Sequence, residues 1–377
     1  MGLDQKSAAL VALTLVATAA VRPASAARNF DIDIDNIAVA AAAVDQPLPS
    51  FPDTGIRTGQ EGWVRLHYVI AADGRAVDPI VVDSSGGVEF ERSARAAVSS
   101  WRFEPPGAEL ANNTSDIRFE MHRRDRRSYA ASSNFLRRYR RIMTHIYNEE
   151  IVEAREQIDD ALALGGWNLY ESTMLSLMVG RVAGAEGNDT AKLQNYRRAL
   201  RMDKPRAVGG EDRRDLLVRL FRLQFDRAQY AAAMQTLELL RAEAGSQQDV
   251  AGLEAEARQA AELLAGQDTI AAQATLYNPC SCDEGEPLWS YAPSRRTFSF
   301  SGLNGNVERF EVRCERDRFG GAVETDRRWS LPGDPGQCIV FVFGEDGAGF
   351  EFVEHGDAEP NDAIEPVAAA RSDGLDR

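Results

Sequence analysis

Between Pro49 and Pro106 the chain sets out, in one unbroken order, a paired-proline entry, two strands joined by Asp73-Gly74, a small-residue helix and the run Trp101-Arg102-Phe103-Glu104-Pro105. Few folds accommodate that order. In Trp63 to Ile70, Val64, Leu66, Tyr68 and Ile70 share one face, while Arg65 and His67 make the other more polar, as a half-buried antiparallel strand requires. Asp73-Gly74 supplies the positive-φ residues of a tight hairpin, and Ala76 to Asp83 continues with β-branched Val77, Ile80, Val81 and Val82. Pro79 places part of this second strand on an edge or at a bulge. Ser84-Ser85-Gly86-Gly87 breaks the sheet, and Phe90, Ala94, Ala97 and Val98 recur at helical spacing up to Ser100. A short helix across the sheet follows, with Trp101 and Phe103 closing the core behind it. Asp116 to Met121 alternates again and predicts a third strand.

Pro49-Ser50-Phe51-Pro52, Gly62-Trp63-Val64, Asp73-Gly74, Ser84-Ser85-Gly86 and Trp101-Arg102-Phe103-Glu104-Pro105 together resemble the C-terminal domain of the TonB family of energy transducers, over residues 46–122 of a domain bounded at 46–124. The resemblance implies that Asp116, Ile117, Arg118, Phe119, Glu120 and Met121 form the edge to which an outer-membrane receptor's extended segment adds itself. In such an addition main-chain hydrogen bonds supply affinity and alternate side chains supply register. The competing reading is a reused structural module whose edge the rest of the chain covers.

The resemblance also implies a transmembrane anchor carrying a Ser and a His, and a long proline-rich spacer. The sequence departs from both. Lys6, an apolar run from Ala8 to Val21 and Ala24-Ser25-Ala26 read as a cleavable signal peptide over residues 1–26, its apolar run shorter than the ~20 residues of a membrane span, followed by a linker over 27–45. A periplasmic location is the expectation, and energy transduction would require the N-terminal segment to remain as an anchor.

With 377 residues the length prior is two to three domains, and a net charge of -15 argues against nucleic acid as a general partner. Charge is uneven: from Arg118 to Arg141 nine arginines stand with only Glu120 and Asp125. This basic stretch reads as a solvated linker and helix face, or as an intramolecular contact with acidic segments later in the chain; the sharper reading is a membrane contact with anionic headgroups or attachment to cell-wall carboxylates.

From 132 to 265 the texture becomes Ala/Leu/Arg/Glu-rich and helical. Ala154, Ile158 and Ala161 set a spacing that returns at Tyr196 and Ala199 and again at Tyr230, Ala233, Leu237 and Leu240. With Gly180 as a small residue on a first helix and Pro205 near a repeat end, this segment resembles degenerate tetratricopeptide repeats. Such hairpins stack into an α-helical solenoid, implying a protein or peptide contact or a spacer.

Over 275–355 short alternating segments return: Thr297–Phe300, Val307–Arg313, Arg327–Ser330 and Cys338–Phe343, parted by Gly- and Pro-rich turns. They predict a small antiparallel β domain containing Cys280, Cys282, Cys314 and Cys338. An even count in an exported chain reads as two disulfides, each worth about 2–4 kcal/mol. A bond within Cys280-Ser281-Cys282 would be strained, which favours each crossing to Cys314 or Cys338. A four-thiolate zinc site is the competing reading. Residues 356–377 are acidic, Ala- and Pro-rich, and expected to be disordered.

Catalytic signals are absent. No Gly-x-Ser-x-Gly elbow, P-loop, dinucleotide fingerprint or His-Glu-x-x-His motif occurs, and the four histidines, His67, His122, His145 and His355, fall in different contexts. Gly344-Glu345-Asp346-Gly347-Ala348-Gly349 reads as a hairpin turn, and Asp159-Asp160 as solvated charge. The expectation is an α+β multidomain, non-enzymatic interaction protein without cofactor or metal, accessory to TonB-dependent transport. A second expectation, from another class, is an envelope carbohydrate-binding or hydrolytic protein whose Trp289, Tyr291 and Trp329 stack on sugars.

Overall fold

A computed structural model describes residues 30–121, 131–203, 208–243, 247–279, 285–325, 327–331, 336–356 and 362–363. Residues 1–26, expected to be a signal peptide, and His122, the arginines between 123 and 127, Pro205, Cys280 and Cys282 lie outside the described residues.

Residues 27–45, expected as a linker, contain β1 (Phe30–Ala38) and β2 (Ala43–Asp45). Phe30, Ile32 and Ile34 alternate with Asp31, Asp33 and Asp35, a period-two pattern that gives a strand one apolar face. Next come α1 (Asp53–Thr58), β3 (Gly62–Ile70), β4 (Ala76–Ser84), α2 (Val88–Ser100), β5 (Arg102–Phe103) and β6 (Leu110–Met121). The main sheet runs β1-β6-β3-β4, and β2 pairs with β5. One face meets α2: Val64, Leu66, Tyr68, Ile70, Ile117 and Phe119 pack with Phe90, Ala94, Val98, Trp101 and Phe103, as the alternation and helical spacing required. Pro79 sits at a bulge on the edge strand β4, where Asp78, at φ 48°, and Pro79 stand between the pairs His67↔Ile80 and Val69↔Val77. Gly74 has φ 84°, and a Cβ there would come within 2.2 Å of the Phe103 carbonyl oxygen. The hairpin turn thus needs glycine for both conformation and space.

The second face of β3 is buried too. Trp63 packs with Leu169 and Met202, and the His67 ring lies 4.9 Å from that of Phe341. The expected polar face exists in composition but meets the rest of the chain instead of water.

The helical section comprises α3 (Ser133–Tyr147), α4 (Ile151–Leu164), α5 (Leu169–Ala185), α6 (Asp189–Met202), α7 (Gly210–Asp226), α8 (Tyr230–Arg241) and α9 (Gln247–Ala265). Consecutive helices pack on each other around two cores, one with Phe135, Ile158 and Trp167, the other with Leu217, Phe221 and Leu237. Side-chain caps start several of them: Ser132, Asn168 and Asn188 each accept from a backbone amide, and Asn168 with Glu171 forms a capping box. Among the described residues no helix is long and apolar enough to cross a membrane.

The last section is a sandwich. Strands β7 (Thr269–Thr275), β8 (Leu288–Tyr291), β9 (Thr297–Asn304), β10 (Val307–Cys314), β11 (Arg318–Ala322), β12 (Arg328–Ser330), β13 (Cys338–Gly344), β14 (Gly349–His355) and β15 (Asp362–Ala363) form two sheets, β11-β10-β13-β8 and β15-β12-β9-β14-β7. Asp362–Ala363, within the segment expected to be disordered, pair with β12. The glycine-rich 344–349 segment is not a hairpin turn: it carries the chain from β13 in one sheet to β14 in the other.

Three expectations for this section are corrected. Cys314 bonds Cys338, its directly opposed neighbour across β10 and β13, so neither sulfur is left for Cys280 or Cys282. The same bond removes two of the four thiolates a zinc site would need. Trp289, Tyr291 and Trp329 are buried in the core between the sheets, with Phe298, Phe310 and Phe352, and offer no face to a sugar.

Candidate interaction edge

The site begins with β6, the strand expected to be an open edge. It is interior. Strand β1 pairs with it antiparallel from Phe30↔Met121 to Ala38↔Thr114, with an irregularity between Asn36 and Ala38, while β3 occupies its other side. Ile117 and Phe119 are fully buried against the α2 face, and Asp116 and Arg118 are buried on the opposite face. Of Asp116 to Met121, only Glu120 and Met121 are half-buried. The physical reason is the alternation of the preceding segment, whose Phe30, Ile32 and Ile34 continue the apolar face begun by Ile117 and Phe119.

The opposite face is ionic. Asp116 accepts a bidentate pair from Arg65, Nε to Oδ1 at 2.6 Å and Nη2 to Oδ2 at 2.7 Å. Arg118 reaches Asp116 at 3.7 Å and Asp35 of β1 at 3.9 Å, and donates to the Arg201 carbonyl at 2.8 Å. Arg118 is therefore a buried tie between sheet and helices, so the basic stretch is not one continuous surface at its start; Arg137, Arg140 and Arg141 are exposed on α3. At the end of β6, Glu61 accepts from the Met121 amide at 3.1 Å and from the Leu169 amide at 2.9 Å, placing a carboxylate at the α5 N-terminus. Burial, then the Glu61 carboxylate, pushes the Glu120 carboxyl above its ordinary range.

Little of β1 itself is buried. Ile32 is its one buried residue; Phe30, Ile34 and Asp35 are half-buried and the others exposed. Its outer edge is the end of the sheet, lined by Asp31, Asp33 and Asp35, charges of the kind that discourage indiscriminate edge pairing.

The motif residues act as framework. Phe51, Trp101 and Phe103 are core. Pro49 and Pro52 are buried at the entry, Pro105 is exposed, and the Trp101 indole donates to the Pro47 carbonyl at 3.1 Å. A Cβ on Gly62 would come within 2.6 Å of the Phe90 ring. Ser85 Oγ accepts from the Trp63 amide at 2.9 Å, and Ser84 Oγ donates to buried Glu91 while accepting from the Gly86 amide at 3.1 Å.

Residues 47–122 match the family model of the Gram-negative bacterial TonB protein C-terminal. Over 57 residues the chain is 39% identical to Protein TonB of Pseudomonas aeruginosa, a stretch equal to 15% of this chain and 17% of that protein. The chain thus spans about a sixth of its curated TonB relative. The solution NMR structure of the Pseudomonas aeruginosa TonB CTD aligns at 28% identity over 25% of this chain and 91% of that one, with a TM-score of 0.20. The TonB match stops short of the helices and the sandwich. Strand β1 lies outside it as well, so the strand that completes the sheet comes from beyond the TonB-like segment.

Proposed function

We propose that the protein is a periplasmic, non-enzymatic interaction protein whose TonB-like sheet accepts an extended segment of an envelope partner by strand addition at β6, in exchange for its own β1. The role this supports is an accessory one in TonB-dependent transport. The observation that carries the reading is the β1–β6 ladder: a segment foreign to the family match already occupies that edge in the antiparallel manner of β-augmentation. β1 is suited to leave, because it buries little apolar surface while β3 and β4 keep the rest of the core closed.

The test compares capture of envelope proteins by the whole chain and by a variant lacking residues 30–38, both shown to be folded by near-UV circular dichroism. Deletion is expected to increase capture, and a Phe30–Ala38 peptide in excess to suppress it. Unchanged capture with no peptide competition would sink the exchange. Loss of the partner on deletion would place addition on the outer edge of β1 instead.

A further inference from the structure

Behind the TonB-like sheet, where β3, β4 and β6 face α6, α8 and the sandwich, lies a cavity of about 690 Å³. All three sections of the chain line it. Arg65, Arg197, Arg201, Arg295 and Arg296 contribute guanidinium groups, against the carboxylates of Asp83 and Glu238 among the described lining residues. Most of this negative charge is already committed. Asp83 is shared between Arg198, 2.8 Å away, and Arg201, at 3.4 Å; Arg65 is taken up by Asp116; Glu238 pairs with Arg241. Arg295 donates to the carbonyls of Leu264, Gln267 and Asp268, which leaves its charge unneutralised by a carboxylate. Arg197 makes no hydrogen bond or ion pair among the described residues.

Guanidinium groups do not shed this excess charge by deprotonating under ordinary conditions. They are also close enough to matter to one another: burial, then the neighbouring charges of Arg65 and Arg197, draws the Arg201 pKa down to about 9. Crowded like charges in a partly desolvated cleft are costly unless an anion joins them. Planar guanidinium matches carboxylate and phosphate oxygens two at a time, and the cavity volume falls in the range that encloses a small molecule.

We infer that this cleft binds a small molecule bearing two or more oxyanionic groups, phosphate or carboxylate, with Arg197 and Arg201 as its direct partners. Its site depends on the docking of the three sections and meets the β1–β6 ladder only at its end, where Ile37, Ala38, Asn112 and Thr114 line the cavity. Gln194, one helical turn before Arg197 on α6, also lines the cavity, so the position can be given a carboxylate of its own.

The test is calorimetric titration of the whole chain at low ionic strength with inorganic pyrophosphate and, in parallel, citrate. Saturable one-to-one binding is expected. Arg197→Gln should weaken it about tenfold or more, the scale of one charge-assisted hydrogen bond, without lowering the thermal midpoint of the unliganded chain. Gln194→Glu should raise that midpoint and weaken binding, since the new carboxylate takes the anion's place. Arg222→Gln, on the exposed face of α7, should bind as the parent chain does. Tighter pyrophosphate binding assigns a phosphate ligand, and tighter citrate binding a polycarboxylate. Failure of both anions to saturate, parent-like binding by Arg197→Gln and Gln194→Glu, or equal weakening by Arg222→Gln would overturn the inference.

Discussion

Gly180 shows how much one missing atom decides. It lies inside α5, where glycine is unfavourable relative to alanine, yet a Cβ there would stand 2.5 Å from the Tyr196 ring on α6. The glycine lets the two helices approach until that ring fills the gap. Replacing Gly180 with Val should destabilise the chain by about 1–3 kcal/mol, the usual penalty for overpacking, measured by urea unfolding. Gly252 in α9 is the contrast: nothing lies within 4 Å of its would-be Cβ, so Gly252→Ala should stabilise by ~0.5–1 kcal/mol. If both changes act alike, backbone propensity rather than packing governs Gly180. The resemblance to helical repeats singled out Gly180 and helical spacing singled out Tyr196, but their contact depends on the α5–α6 crossing, which no local pattern records.

Among the elements, β1 differs from its neighbours in how it is held. β3 is covered on both faces and paired on both edges, whereas β1 has one paired edge and one buried residue. Native-state amide exchange should therefore rank β1 well below β3 in protection, with the hydrogen-bonded amides of Ile32 to Asp35 exchanging at least tenfold faster than those of Leu66 to Val69. Equal protection would make β1 a permanent part of the sheet and remove the basis for strand exchange. Its alternation of Phe30, Ile32 and Ile34 with three aspartates was visible in the sequence. Its destination was not, because period-two alternation identifies a strand and its faces but not the strand it joins. The disulfide shows the same limit. Four cysteines near one another suggest bonding, while the pairing of Cys314 with Cys338 follows from β10 and β13 lying side by side.

At the scale of the whole molecule, His67 stands where the TonB-like sheet meets the sandwich. Arg313 Nη1 can only donate, at 3.3 Å, to His67 Nδ1, so the ring carries its proton on Nε2, facing Asn112 Oδ1 at 3.1 Å. Asn112 in turn donates to the Gln337 carbonyl at 3.1 Å. Burial, then the Arg313 charge, lowers the His67 pKa from 6.5 to about 3, with the Asn112 contact opposing. Arg313 is itself held by Glu311 at 2.8 Å and by the Asp78 carbonyl at 3.1 Å. The folded chain thus keeps His67 neutral while the unfolded chain protonates it below about pH 6.5, so this contribution is present above that pH and is lost as pH falls toward 3. Between pH 6 and 4 the residue should add up to about 1.4 kcal/mol of lost stability per pH unit, and His67→Gln should flatten that slope in urea titrations. Identical slopes would show that the ring is not sealed at the junction. The sequence by itself determined β3, β4, the end of β6, β9, β10, β12, β13, the α2 helix and the TonB-like framework, because hydrophobic period, turn residues and aromatic anchors act within a few residues. Only the tertiary structure decided which edges are covered, that Trp289, Tyr291 and Trp329 are core, and that Arg65, Asp83 and Arg197 share one cleft. Those outcomes depend on contacts between residues far apart in the chain, from Tyr291 with Phe352 and Phe30 with Met121 to Asp83 with Arg198, and local periodicity carries no record of them.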